Sequence, residues 1–184
     1  MIVAGRTTPK NAAVCWGKAE DPDKDCKFTA TGDKLATRVP GGNAHDLSSE
    51  LGMMNSPRSL QEIEGDFKIQ VTVDGRFEVG GESSQEGRSG YNGACLLLMM
   101  DEQNYLRLER ATMHWSGHKA TSYINYELRK DGTNTGFAST GDTSLKPEGP
   151  TVLRIERKNS IILASVSNDR INFVDMPSKS LPST

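Results

Sequence analysis

The chain has no long hydrophobic run. Its longest strongly apolar stretch, Ala94 to Met100, falls well short of the roughly 20 residues that a membrane helix needs. It has no excess charge of either sign: 22 Lys and Arg against 24 Asp and Glu leave a net charge of −2. That argues against a dedicated nucleic-acid binder, which usually shows a basic face, and against a polybasic membrane-surface anchor. The N-terminus lacks the basic-then-apolar pattern of a signal peptide, which favours a cytoplasmic setting.

Cysteine is scarce. Cys15, Cys26 and Cys95 cannot all pair within one chain, and no C-x-x-C is present, so a structural zinc site has little support in the spacing. The three read as small buried hydrophobes in a reducing compartment, with a Cys15–Cys26 bridge as the alternative in an exported form. His45, His114 and His118 show neither H-x-x-x-H nor H-E-x-x-H spacing, no G-x-x-x-x-G-K-[ST] loop occurs, and Ser56, Ser89 and Ser116 lack a nucleophile-elbow setting. Catalytic zinc, nucleotide phosphate binding and serine hydrolysis therefore have no sequence signature here. No organic cofactor is implied.

What is present is alternation. The 184 residues are 35% hydrophobic, enough for the core of one domain. Residues 1–12 read as a polar lead-in, 13–176 as the domain and 177–184 as a tail. Phe67, Ile69, Val71 and Val73 share one face, with Asp66, Lys68, Gln70 and Thr72 on the other. Leu106 and Leu108 oppose Tyr105, Arg107 and Glu109; Thr121 to Arg129, Thr151 to Lys158, Ile161 to Ser167 and Ile171 to Val174 continue the pattern. Cys95 to Met100 is apolar on both faces, as in a strand covered from both sides. Residues 80–93 form a Gly/Ser-rich loop. Only Ser48 to Met54 and Arg58 to Glu64 offer short helical material. About ten strands punctuated by turns predict an all-β, antiparallel two-sheet sandwich or barrel.

Three stretches carry a family resemblance: Trp16 with Asp21-Pro22-Asp23-Lys24-Asp25-Cys26; Asn55-Ser56-Pro57-Arg58 continuing to Glu64-Gly65-Asp66-Phe67; and Leu96 to Glu102 leading into Asn104-Tyr105-Leu106-Arg107-Leu108-Glu109-Arg110-Ala111. Together they resemble the regulation-of-enolase-protein-like domain of unknown function, over about residues 14–175. That family is similar to the concanavalin A-like lectins and glucanases, and the resemblance implies a jelly-roll sandwich. Family members continue after the strand near Ile171 with another apolar strand, whereas this sequence runs to Leu181-Pro182-Ser183-Thr184. A final strand is therefore expected to be lacking, leaving a sheet edge open to a partner chain or a second copy.

Four constellations could carry chemistry. Tyr105, Arg107 and Glu109 alternate outward on one strand, and Tyr123, Asn125 and Glu127 on the next, with Trp115 near the connection. On a concave jelly-roll sheet this mixture suits a glycan: sugar C–H faces stack on aromatics, and hydroxyls pair with amide, carboxylate and guanidinium groups. The alternative is a face in which Arg107 pairs with Glu109 or Glu127 across strands. Asp21, Asp23 and Asp25 alternate in a turn and could hold a structural Ca²⁺, or cap the turn before Phe28. The EF-hand pattern fails, because its sixth and twelfth positions hold Cys26 and Gly32. Glu62, Glu64 and Asp66 resemble the E-x-D-x-E of laminarinase-type glucanases in altered order. Their ends lie roughly 13 Å apart along a strand, against the ~5–5.5 Å that retaining chemistry wants. Arg58 after Pro57 could grip a ligand carboxylate or pin its own loop. The leading expectation is a carbohydrate-binding, lectin-like module, with a glycoside hydrolase or a protein-interaction domain as alternatives.

Overall fold

The computed structural model describes residues 16–140 and 149–181. The lead-in 1–12, Val14, Cys15 and the last residues of the tail lie outside that range. The strands are β1 (Lys18–Glu20), β2 (Lys27–Thr31), β3 (Lys34–Arg38), β4 (Leu47–Ser48), β5 (Met53–Met54), β6 (Arg58–Leu60), β7 (Phe67–Val73), β8 (Gly90–Met99), β9 (Tyr105–His114), β10 (Thr121–Lys130), β11 (Thr133–Thr140), β12 (Thr151–Lys158), β13 (Ile161–Ser167), β14 (Val174–Asp175) and β15 (Lys179–Ser180).

Alternation builds two large antiparallel sheets, with the two-stranded pairs β1-β6, β2-β3 and β4-β5 beside them, and the protein is an all-β sandwich. One sheet is four-stranded in the order β11-β10-β9-β8; the other runs β14-β13-β12-β7, with β15 also paired to β13. The chain leaves the second sheet after β7, makes the whole four-stranded meander, and returns as β12 beside β7, where Ile155 faces Ile69 in register. The period of two sends one side of each strand inward. Ile69, Val71 and Val73 meet Leu96, Leu106, Leu108, Ile124 and Tyr126 from the opposite sheet, joined by Leu153, Ile155, Ile162 and Val166. Burying each such side chain is worth about 1.5–3 kcal/mol. One core-facing position breaks the pattern. Arg110 is fully buried, with its guanidinium 4.8 Å from the Phe77 ring centroid and donating to the Gly149 carbonyl.

Strand β11 escapes the alternation argument but has a local cause. Asp131-Gly132 takes positive φ at both positions, the requirement of the tight hairpin turn whose twist matches antiparallel strands. The two short helical expectations are corrected. Ser49–Leu51 makes one 3-10 turn closed by left-handed Gly52, and Arg58–Leu60 is a strand paired with β1. Segments this short cannot repay helix nucleation. Beyond Ile171 the chain returns to β13 twice, through β14 and then β15. That edge is therefore lined by two-residue strands. Among the described residues no helix is long and apolar enough to cross a membrane.

The segment from Leu47 to Leu60 packs on the outside of the four-stranded sheet. Leu47, with Met54 and Leu60, covers Cys95, Leu97 and Tyr105. This is why β8 is apolar on both faces, and it positions the site.

Candidate functional site

The outer face of β9 and β10 carries a polar lattice set by register. Glu127 lies opposite Arg107, Asn125 opposite Glu109, Arg129 opposite Tyr105 and Tyr123 opposite Ala111. Six of the expected ligand-binding side chains are thus brought to one face. They are not open to solvent: Tyr105, Glu109, Asn125 and Glu127 are all buried.

Arg107 is the hub. Its Nε lies 2.8 Å from Glu127 Oε1 and 3.6 Å from Glu109 Oε2, and its guanidinium donates to the Leu47 carbonyl at 3.1 Å. Tyr105 donates its hydroxyl to the same carbonyl. Asn125 Nδ2 reaches Glu109 Oε2 at 3.3 Å and Glu127 Oε2 at 3.5 Å. Arg129 closes the far side, with Nε 3.3 Å from Glu127 Oε1 and a terminal nitrogen 2.8 Å from Glu50. Burial opposes the charge on Arg107, but Glu109, Tyr91 and Glu127 hold its pKa well above the usual value. Such a set is retained only when nearly every charge has a partner, because desolvation otherwise outweighs attraction.

At one end the lattice opens. Tyr91 donates its hydroxyl to Glu109 Oε2 at 2.5 Å. Gly93 leaves room for that carboxylate, since a Cβ there would lie 2.5 Å from Glu109 Oε1. A cleft of about 760 Å³ spans this region, with Arg107, Glu109, Gly93 and Cys95 on its floor. Residues 39–47 form one wall and residues 78–92 the other; Trp115 and Tyr91 stand at the rim, 51% and 39% exposed. Although Tyr91 as a residue is part-exposed, its hydroxyl end is buried beside Glu109, which raises its pKa, and burial then Glu109 pushes Tyr123 up to about 12. Both phenols are therefore neutral hydrogen-bonding groups. Burial likewise raises the Cys95 thiol, which makes it unreactive.

The remaining expected residues lie apart. Arg58 is buried, donating from Nε to Glu20 at 2.9 Å and from a terminal nitrogen to the Met54 carbonyl at 2.8 Å, so it pins β1 to β6. Asp21 accepts from the Lys24 and Cys26 backbone amides and caps its own turn. Asp23 accepts from Asn55 Nδ2 at 2.7 Å. Asp25 lies 2.9 Å from His45 Nε2, and this hydrogen bond lowers its pKa. Cys26 donates to Asp25 at 3.3 Å, and burial with that bond pushes its thiol up to about 12. Glu62 and Glu64 sit outside any strand, at a second, more apolar pocket of about 940 Å³ at one end of the sandwich. Asp66 instead accepts from the Asn159 amide.

Sequence reasoning missed His45 and Tyr91. The pairing of His45 with Asp25 spans 20 residues and has no motif. Tyr91 was hidden in a stretch read as loop, although it is in β8 and faces outward with Glu109.

No family model matches this chain, and no curated protein does. Among solved structures it is similar to a functionally unknown protein from Saccharomyces cerevisiae. The likeness has 11% sequence identity and a TM-score of 0.38, over 68% of this chain and 79% of that one. At that distance neither a family nor an activity carries over. The fold and the site define an all-β sandwich with a polar cleft on one sheet.

Proposed function

We propose that this protein is a carbohydrate-binding, lectin-like module of the concanavalin A-like jelly-roll type, taking a glycan in the cleft over β8 and β9. One observation carries the reading: a polar cleft floored by Glu109 and Arg107 and rimmed by the exposed rings of Trp115 and Tyr91. The rings supply stacking surfaces, and the Gly/Ser-rich wall supplies hydrogen bonds to hydroxyls. The volume falls within the ~300–1,000 Å³ of small-ligand sites, and the near-neutral chain suits an uncharged ligand. The jelly-roll assignment draws support from the return of β12 beside β7 after the β8–β11 meander.

The hydrolase alternative draws less support. Of the acids expected to carry catalysis, Glu109 alone lines the cleft; Glu127 does not, and the cleft's other carboxylates, Asp46, Glu78 and Glu82, are on its loop walls. A glycosidase needs two carboxyl groups at the scissile bond.

A glycan array tests the proposal, probed with the wild type, Trp115→Ala and Glu109→Gln. One glycan class should be retained by the wild type and lost by both variants. The absence of any bound glycan across broad neutral classes would overturn it, and turnover of a chromogenic glycoside would replace it with the hydrolase.

A further inference from the structure

A cluster of metal-ligating side chains lies outside the cleft floor, where the turn after β1 meets the loop entering β4. The Asp25 carboxylate, the Cys26 thiol and His45 Nε2 place their donor atoms all within 4.8 Å of one another. Asp25 Oδ1 is 2.9 Å from His45 Nε2 and 3.3 Å from Cys26 Sγ, and Asp23 Oδ2 is 3.7 Å from the same Nε2. Zinc holds nitrogen, oxygen and sulfur at about 2.0–2.3 Å, and the corners of such a tetrahedron lie roughly 3.3–3.8 Å apart. The Asp25–Cys26 and Asp23–His45 separations fall in that range and Asp25–His45 is shorter; Asp23 lies outside the group whose donors are all within 4.8 Å, so it must swing toward Asp25 and Cys26 to become the fourth ligand.

We propose that Asp23, Asp25, Cys26 and His45 form a tetrahedral zinc site that staples the turn after β1 to the wall of the cleft. The donor set is the reason to choose zinc over calcium. Calcium takes six to eight oxygens, whereas an imidazole and a thiolate beside two carboxylates suit a borderline metal. The surroundings are built for it. The His45 side chain is only 3% exposed. When Nε2 takes the metal the ring proton moves to Nδ1, which has no hydrogen-bond partner among the described residues, so the ring is held by packing and not by the outer hydrogen bond that usually orients such a ligand. Asn55 acts as the outer support: its Nδ2 donates to Asp23 Oδ2 at 2.7 Å and to the Ala44 carbonyl at 2.9 Å, while its Oδ1 accepts from the Asp46 amide at 3.0 Å. Ligating carboxylates are commonly oriented by such partners. On binding, Cys26 releases its thiol proton to solvent and its sulfur bonds to the ion as thiolate.

The site stands independently of the glycan reading, although the two touch. His45 and Asp46 line the cleft wall, and Leu47, two residues beyond His45, offers the carbonyl that accepts from Arg107 and Tyr105.

The test is a titration of the full chain, stripped of metal, with Co²⁺ and then Zn²⁺. One equivalent of Co²⁺ should produce thiolate-to-metal absorption and the intense visible bands of tetrahedral cobalt, and Zn²⁺ should displace both. Cys26→Ser should abolish the thiolate band, and His45→Ala should weaken Zn²⁺ binding by roughly 100-fold or more, at least the scale of losing an outer-shell partner. Circular dichroism checks that each variant folds. Should Cys26→Ser fail to fold, Asp25→Asn carries the test, through loss of one-equivalent binding. The absence of a saturable one-equivalent signal in the wild type would overturn the proposal, as would a thiolate band that survives in folded Cys26→Ser.

Discussion

Arg107 on β9 and Glu127 on β10 face each other in register, and their side chains meet at 2.8 Å with both nearly buried, at 12% and 4% side-chain exposure. This pair joins the sheet to the segment that covers it, because the same guanidinium holds the Leu47 carbonyl. Removing the cation would leave Glu127 and Glu109 short of their shared partner in a desolvated place. Arg107→Met is therefore expected to destabilise the protein by about 3–5 kcal/mol. Adding Glu127→Gln should recover part of that loss. Urea unfolding of both variants measures it, and a loss under 1 kcal/mol for Arg107→Met would mean that the pair is solvated.

Arg58 predicts a more local effect. From β6 it holds β1 through Glu20 and β5 through the Met54 carbonyl. Arg58→Ala should cost about 1.5–3 kcal/mol, the range for hydrogen bonds involving a charged group. The loss should be read first as faster amide exchange in β1 and β6, with the core of β9 and β12 unchanged.

The tyrosines predict the alkaline limit. The folded pKa of Tyr123 is raised from the ordinary 10.0 to about 12, chiefly by burial. A phenol held neutral by folding contributes stability that is complete below pH 10 and is lost as pH rises through about 12. Denaturant midpoints should therefore fall from pH 10 upward, and Tyr123→Phe should flatten that fall. A wild-type midpoint unchanged between pH 10 and 12 would contradict the burial of this hydroxyl.

Asp169 predicts the acid side. Its carboxylate accepts from the Asn172 and Ile171 amides, from the Asn172 side chain and from Ser167, and these bonds hold its pKa well below the usual 3.8. The contribution is full above the unfolded value and fades as pH falls below about 4. Asp169→Asn should lower stability at neutral pH, and the gap to wild type should narrow in acid. Thermal melts across that range show whether it does.

Much of this fold was legible because alternation is a local signal. Leu106 and Leu108 against Arg107 and Glu109 assign two faces without further information, and Ile69, Val71 and Val73 do the same for β7. The burial of the polar face was not legible, because it depends on Leu47, Met54 and Leu60 arriving from some 40–60 residues upstream. Arg110 defeats the pattern for a related reason: Phe77 and the Gly149 carbonyl, distant in sequence, lie beside its core position. The same logic hid His45. Its partners lie in a turn 20 residues away, and a donor set split between two loops leaves no spacing to read.

The proposed glycan cleft has a built-in reporter. The chain has two tryptophans; Trp115 stands half-exposed at the cleft rim, and Trp16 packs partly buried against the sandwich core. The most direct measurement is tryptophan fluorescence during titration with the glycan class retained on the array, in the wild type and in Trp115→Phe. Stacking at the rim predicts a saturable change in the wild type that disappears in Trp115→Phe. A saturable change of the same size in both proteins would contradict the cleft as the binding site.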